Sequence, residues 1–355
     1  MSEHFIKNIE IRDYKCFKDF KAEGFGRVNL IGGKNNVGKT AFMEACLLGL
    51  SWRNPRELLE SSIILELHRN SLDFLLEWFK DYTAFNFKYM DTNILINDNF
   101  IPISILHDKG YLSYKKNDKI LVPSKIAKGW LIGKNIEKCK WENSIKVDRN
   151  FNYIRINTRH ILDKIYEKNL PPLISNLKFI SVGNNFNNYL VDFIDEIKLK
   201  NKEEALNKAL KSFFNIDKID IIKNKVMLKK DERYLLLTEF GDGVKHFLNI
   251  ILALYLNKDS IIYLDEIENG IHYTNLDKLW EIILTISKEQ NVQVFATTHS
   301  KECIESYARV AERLKDEEIG FIELGRNKKN KLDSIVMNSE MFQRFVTLGN
   351  EVRGW

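Results

Sequence analysis

Residues 32–40 read GGKNNVGKT, and the spacing of Gly33, Gly38, Lys39 and Thr40 decides the fold. It matches the pattern G-x-x-x-x-G-K-[ST], in which glycines let successive backbone N–H groups curl around an anion. The lysine supplies a point charge to outer phosphates, and the threonine hydroxyl supplies a ligand to Mg²⁺. Arg27-Val28-Asn29-Leu30-Ile31 reads as a short buried strand running into the loop, and residues 41–48, AFMEACLL, read as a helix leaving it. The amides at that helix N-terminus point towards the bound phosphates. Gly33, Lys34, Asn35, Asn36, Val37, Gly38, Lys39 and Thr40 are therefore the predicted nucleotide cradle, with ATP and Mg²⁺ as the ligands.

Working outward, residues 259–273 read DSIIYLDEIENGIHY. The run Ile261–Leu264 is apolar throughout, as in a strand covered on both faces, and it ends abruptly in Asp265 and Glu266. Two carboxylates there have a use if this strand lies beside the phosphate-loop strand, because open α/β sheets bind ligands at the carboxyl ends of their strands. Asp265 then serves Mg²⁺, and Glu266 orients and polarises the water that attacks the γ-phosphate. A third apolar run, Val292–Ala296, leads to His299 at the same sheet edge, in reach of the γ-phosphate or the water. Residues 238–254, TEFGDGVKHFLNIILAL, open a second helix at Gly241-Asp242-Gly243, with Val244, Phe247, Leu248, Ile251, Leu252 and Tyr255 on one face. One ATP does not need two such helix termini from one chain. Two chains packed head to tail over two ATP molecules do.

The rest of the chain frames these motifs. Strands are predicted at 5–12 and 15–21. A mostly β insertion with a helical start at 63–79 follows, with alternating runs at 93–97 and 101–105 and turns at Lys109-Gly110 and Lys128-Gly129. Residues 101–150 hold ten Lys and one Arg against five acidic residues, which makes either a solvated face or a surface for nucleic acid or a partner. Helical spacing returns over 185–214. Strands at 219–222 and 234–237 bracket a charged hairpin at Lys229–Glu232. The expected division is 1–50 and 175–330 for the two parts of the nucleotide-binding unit, 51–174 for the insertion and 331–355 for a tail. The segment Met341–Val346 either docks a partner or packs back on the core.

Composition sets bounds. The 54 Lys and Arg nearly balance 49 Asp and Glu, so global charge does not point to nucleic acid. The cysteines at 16, 46, 139 and 303 lack metal-ligand spacing and suit a reducing compartment. No signal-peptide pattern opens the sequence, and the longest apolar stretch, 247–256, is too short for a bilayer, so a cytoplasmic protein without membrane contact is expected.

Taken together, these residues resemble the ABC-type ATPase heads, in the branch shared by RecF-like, SMC-like and overcoming-lysogenization-defect (OLD) proteins. GGKNNVGKT resembles Walker A, FGDGVKH the signature motif, IIYLDEIENGIHY Walker B with the D-loop, and ATTHS the switch histidine. The resemblance covers residues 1–50 and about 175–310. It implies an α/β fold, a P-loop sheet with helices plus an antiparallel β lobe, carrying the insertion. It also implies a Mg²⁺-dependent ATPase with Lys39, Glu266 and His299 catalytic, Thr40 and Asp265 on the metal, and Gly241, Asp242 and Gly243 on the nucleotide. Phe240 stands where transporter ATPases place a serine, and residues 179–184 occupy the Q-loop position without a glutamine. The roughly 55 residues after His299 are too few for the Toprim nuclease of OLD proteins. Stand-alone heads of this kind resemble ATPase subunits of bacterial phage-defence systems, which implies a homodimer regulating a separately encoded effector. The alternative is a RecF-like DNA-binding clamp in repair.

Overall fold

A computed structural model of the chain describes residues 5–51, 190–328 and 330–349, together with strand segments between residues 90 and 180. It divides into two compact units. One comprises residues 1–7, 22–43 and 176–355, the other residues 8–21 and 44–175.

The first unit is built on a six-stranded sheet. In chain order its strands are β3 (Val28–Gly33), β12 (Leu177–Ile180), β16 (Ile261–Leu264), β17 (Gln293–Thr297), β18 (Ile319–Arg326) and β19 (Leu332–Asn338). Across the sheet the order is β12-β16-β17-β3-β18-β19, parallel except for β19. β3, β16 and β17 are buried at every position, β16 as an unbroken apolar run and the other two with Asn29, Gln293 and Thr297 buried among apolar neighbours. The helices of this unit are α2 (Leu190–Leu199), α3 (Glu203–Phe214), α4 (Asp242–Leu256), α5 (Leu276–Glu289), α6 (Lys301–Leu314) and α7 (Ser339–Thr347), and α1 (Lys39–Ser51) begins here. They bury one continuous core that includes Phe247, Trp280, Tyr307 and Phe342.

Polar side chains inside that core pin its edges. Arg27 is buried against Asp316 and the Ser287 hydroxyl and donates to the Leu284 carbonyl at 3.1 Å. Asn29, buried mid-sheet, closes the preceding turn by accepting from Gly26 N–H and donating to Gly26 O, each at 2.8 Å. Tyr307 donates to the Val28 carbonyl at 2.8 Å, tying α6 to the start of β3.

The parallel order corrects one expectation. β16 does not pair with β3; β17 lies between them. Chain order sets each strand's length and burial but not its place in the sheet, so two strand spacings, about 10 Å, separate the carboxylates from the phosphate-loop strand.

Two further readings change. The helical run over 185–214 resolves, within its described part, into α2 and α3, broken where Asn201 takes a left-handed φ of 55°. The charged hairpin belongs to a three-stranded antiparallel sheet, β13 (Lys218–Ile222), β14 (Lys225–Lys230) and β15 (Arg233–Leu236), in which Val226 and Leu228 of β14 point inward. The C-terminal helix α7 packs back on the core. Phe342 is fully buried and stacks on Phe321 at 4.8 Å, a burial worth about 1.5–3 kcal/mol.

In the second unit, β1 (Asn8–Tyr14) and β2 (Phe17–Glu23) join β4 (Met90–Ile96), β5 (Asn99–Asp108), β6 (Tyr111–Lys115), β9 (Cys139–Glu142), β10 (Ile145–Asp148) and β11 (Tyr153–Asn157). They form one eight-stranded sheet in the order β2-β1-β4-β5-β6-β11-β10-β9. β7 (Ile126–Ala127) and β8 (Trp130–Leu131) make a separate pair. β1 and β2 thus belong with the strands of the β lobe and not with β3. The helix expected at 63–79, the two Lys-Gly turns and residues 181–184 lie outside the described residues. The chain is an α/β protein with a mixed, mostly parallel sheet and antiparallel lobes.

Candidate functional site

The C-terminal ends of β3, β17 and β16 lie side by side and bring the loop, the histidine and the carboxylates to one edge. The loop leaves β3 at Gly33, whose φ of +141° and tight approach to the Leu324 carbonyl exclude any side chain. Lys39 opens α1 and is 5% exposed. Its ammonium has three donors and all are engaged, on the Gly33 carbonyl at 2.7 Å, the Lys34 carbonyl at 3.0 Å and His299 Nδ1 at 3.1 Å. His299 must therefore accept at Nδ1 and carry its proton on Nε2, which stands 4.0 Å from Glu266 Oε1.

Burial lowers the Lys39 pKa to about 8 against the opposing pull of Asp265, Glu268 and Glu266. A cation held in that condition gains strongly from phosphate oxygens.

Thr40, on the first turn of α1, spans the strand that separates β3 from β16. Its hydroxyl lies 3.2 Å from Asp265 Oδ2 and 3.3 Å from Oδ1. Asp265 is buried at 8% exposure and also accepts from the Thr297 hydroxyl at 2.5 Å. A hydroxyl and a buried carboxylate in contact beside a lysine are a hard-oxygen donor set that fits Mg²⁺. Glu266 is 49% exposed and His299 37%, so both side chains reach the open side of the site. Glu266 takes a left-handed φ of 50°, held by its N–H on Thr297 Oγ1 at 2.9 Å.

Two residues in this network were not singled out from the sequence. Thr297 bridges Asp265 and the Glu266 backbone, a role set by the β16–β17 register that pairs Leu264 with Ala296. Glu268 accepts the His299 N–H at 2.8 Å through Oε1, while its Oε2 is buried without a hydrogen-bond partner among the described residues. The repeated acid in Asp-Glu-Ile-Glu was the available signal for Glu268.

Gly241, Asp242 and Gly243 sit apart from this network. Gly241 is the N-cap of α4 without a side-chain cap, a Cβ there would touch none of the described residues within 4 Å, and the Asp242 side chain is 88% exposed. Gly243 is different, since a Cβ there would strike the carbonyl oxygen of Gly270 in the same chain. Substitution at Gly243 therefore disturbs its own chain, whereas at Gly241 it meets no described atom of it.

Among the described residues, no helix is long and apolar enough to cross a membrane.

Residues 144–305 match the family described as "AAA domain, putative AbiEii toxin, Type IV TA system". Over 333 residues the chain is 25% identical to the ATP/GTP phosphatase of Helicobacter pylori, covering 84% of this chain and 86% of that protein. Over 114 residues it is 30% identical to an uncharacterized protein of Methanocaldococcus jannaschii, covering 32% of this chain and 99% of that one. Among solved structures, an SMC head bound to the C-terminal winged-helix domain of ScpA aligns with a TM-score of 0.45 at 11% identity, over 95% of this chain and 98% of that chain. The SMC head domain from Thermotoga maritima aligns at 0.39 and 11% identity, over 94% and 98%. With the phosphate loop, the paired carboxylates and the parallel sheet that joins them, the family match identifies the chain as carrying an ATPase domain of this AAA family.

Proposed function

We propose that the chain binds ATP with Mg²⁺, hydrolyses it to ADP and phosphate in a head-to-tail dimer, and uses the cycle to regulate a separately encoded effector. The observation that carries the first step is the meeting of Lys39, Thr40, Asp265, Glu266 and His299 at one sheet edge. The loop amides and Lys39 hold the β- and γ-phosphates. Thr40 and Asp265 would hold the metal, which when bound neutralises charge on the β- and γ-phosphate oxygens. Glu266 accepts a proton from the water as its oxygen bonds to the γ-phosphorus and the bond to the bridging oxygen breaks. His299 gives up the Lys39 contact as Lys39 turns to phosphate, and its Nε2–H is then placed for a γ-phosphate oxygen.

The dimer rests on the open α4 terminus, a second set of phosphate-ready amides that the chain's own loop does not use. The effector reading rests on the toxin system in the family's description, and the ATP/GTP phosphatase of H. pylori supports hydrolysis alone. Phosphate release from purified protein with ATP or GTP, with and without Mg²⁺, is the test, run alongside plasmid DNA and tRNA. Mg²⁺-dependent release with intact nucleic acids is expected. Absence of release sinks the ATPase reading, and cleavage by the protein alone sinks the separate effector.

A further inference from the structure

The signature segment contains a buried histidine that the mechanism above does not use. His246 lies one turn into α4 and is 5% exposed, and its Nε2 stands 3.3 Å from the carbonyl oxygen of Ile267, the residue after Glu266. A carbonyl can only accept, so Nε2 carries the proton and donates. Three residues earlier on the same helix face, Gly243 meets Gly270 backbone to backbone. Gly270 has a φ of +72°, and a Cβ there would sit 2.8 Å from the Gly243 Cα. The turn from Glu266 to Gly270 is therefore gripped at both ends from α4. On its other side it is held by Ile267 N–H on the Thr297 carbonyl at 3.1 Å.

We infer that His246 is a positioning residue for hydrolysis, fixing the Glu266 turn to α4 so that the helix and the water-polarising carboxylate move as one body. Glu266 sits in a left-handed conformation that a non-glycine residue holds only when its surroundings impose it, and the His246 bond to the Ile267 carbonyl, one peptide further on, fixes the turn that follows it. The helix whose free end faces outward then also sets the place of its own chain's carboxylate. The inference rests on the ATPase reading for its kinetic arm only.

His246→Gln and His246→Leu separate the bond from the packing, because a glutamine amide reaches the place of Nε2 and donates, whereas leucine fills space without donating. For His246→Leu, kcat is expected to fall about tenfold with KM within about threefold, and hydrogen exchange of the Ile267, Asn269 and Ile271 amides to speed up about tenfold without nucleotide. His246→Gln restores both. Gly270→Ala, whose Cβ would press on the Gly243 backbone and strain the positive φ without altering a buried side chain of α4, breaks the other end of the grip and is expected to reproduce the leucine result; it decides the matter if His246→Leu does not fold. Wild-type exchange and kcat in His246→Leu or Gly270→Ala overturns the inference, as does a glutamine variant as defective as leucine. Failure of the wild type to hydrolyse ATP overturns the ATPase reading instead, and the exchange pattern still decides this one.

Discussion

The edge formed by β3, β17 and β16 and the N-terminus of α4 both present phosphate-ready groups, yet they are finished to different degrees. At the sheet edge every donor of Lys39 is engaged, Asp265 accepts from two threonines, and the loop that carries His299 is anchored on Glu268. At α4 the N-cap is Gly241 and no side chain closes it, whereas Ser300 caps α6 and Asn338 caps α7 through side-chain oxygens. The sheet edge brings Lys39, Thr40, Asp265, Glu266 and His299 together from one chain. The α4 terminus, like those of α3 and α5, is closed by no side chain among the described residues, and in the proposed dimer its amides would face the nucleotide of the other copy.

Substitutions at the finished site have the largest expected effects. Replacing Glu266 with Gln leaves an amide that cannot accept the proton, so kcat is expected to fall about 10²–10³-fold while ATP still binds. Normal phosphate release from Glu266→Gln would show that the proton goes elsewhere. Lys39→Met removes the point charge, and charge-assisted hydrogen bonds to phosphate contribute about 1.5–3 kcal/mol each, so Kd is expected to rise at least tenfold in a nucleotide titration. An unchanged Kd would mean that the loop amides hold ATP unaided.

The unfinished site calls for a different kind of test. Gly241→Trp places bulk where no described atom of the same chain lies within 4 Å, so binding of ATP to the isolated chain is expected to persist while dimerisation and hydrolysis fall about tenfold. Mixed with Lys39→Met chains, it gives heterodimers with one doubly defective site and one intact site. Partial recovery of hydrolysis in that mixture supports a site shared between chains. Heterodimers that form without recovery break the comparison, because α4 would then serve no second copy.

How much of this was legible beforehand depends on the kind of signal. The loop, the strand ends at Asp265 and His299, and the start of α4 are local, and local runs of apolar residues ending in glycine or charge marked them. Sheet order was not local, so β16 was expected next to β3, and Thr297 was overlooked because its role arises from the β16–β17 register. β14 escaped for another reason. Its flanking turns use Lys223-Asn224 and Asp231-Glu232, all four with positive φ, where a glycine normally announces the hairpin. His246 was quoted within a motif without a role, since only the fold brings it to the Ile267 carbonyl.

The smallest expected effect concerns what the finished site costs the fold. Burial outweighs the attraction of Asp265, Glu268 and Glu266 and brings the Lys39 pKa from its ordinary 10.5 to about 8. Between those two values the native chain holds fewer protons than the unfolded chain, so stability rises with pH across that window. Below about pH 8 both states hold the proton, and the penalty for a buried ammonium is present in full. Lys39→Met abolishes it but also strands the Gly33 and Lys34 carbonyls that the ammonium satisfies. With burial the larger influence, the melting midpoint of the Met variant at pH 7 is expected about 1–3 °C above wild type, a gap that closes as pH approaches 10.5. Thermal melts of both proteins over that range, without nucleotide, measure it. A Met variant that melts below wild type at pH 7 would show that the two carbonyl bonds outweigh the burial, and that the loop's closure around Lys39 stabilises the fold and not only the bound phosphate.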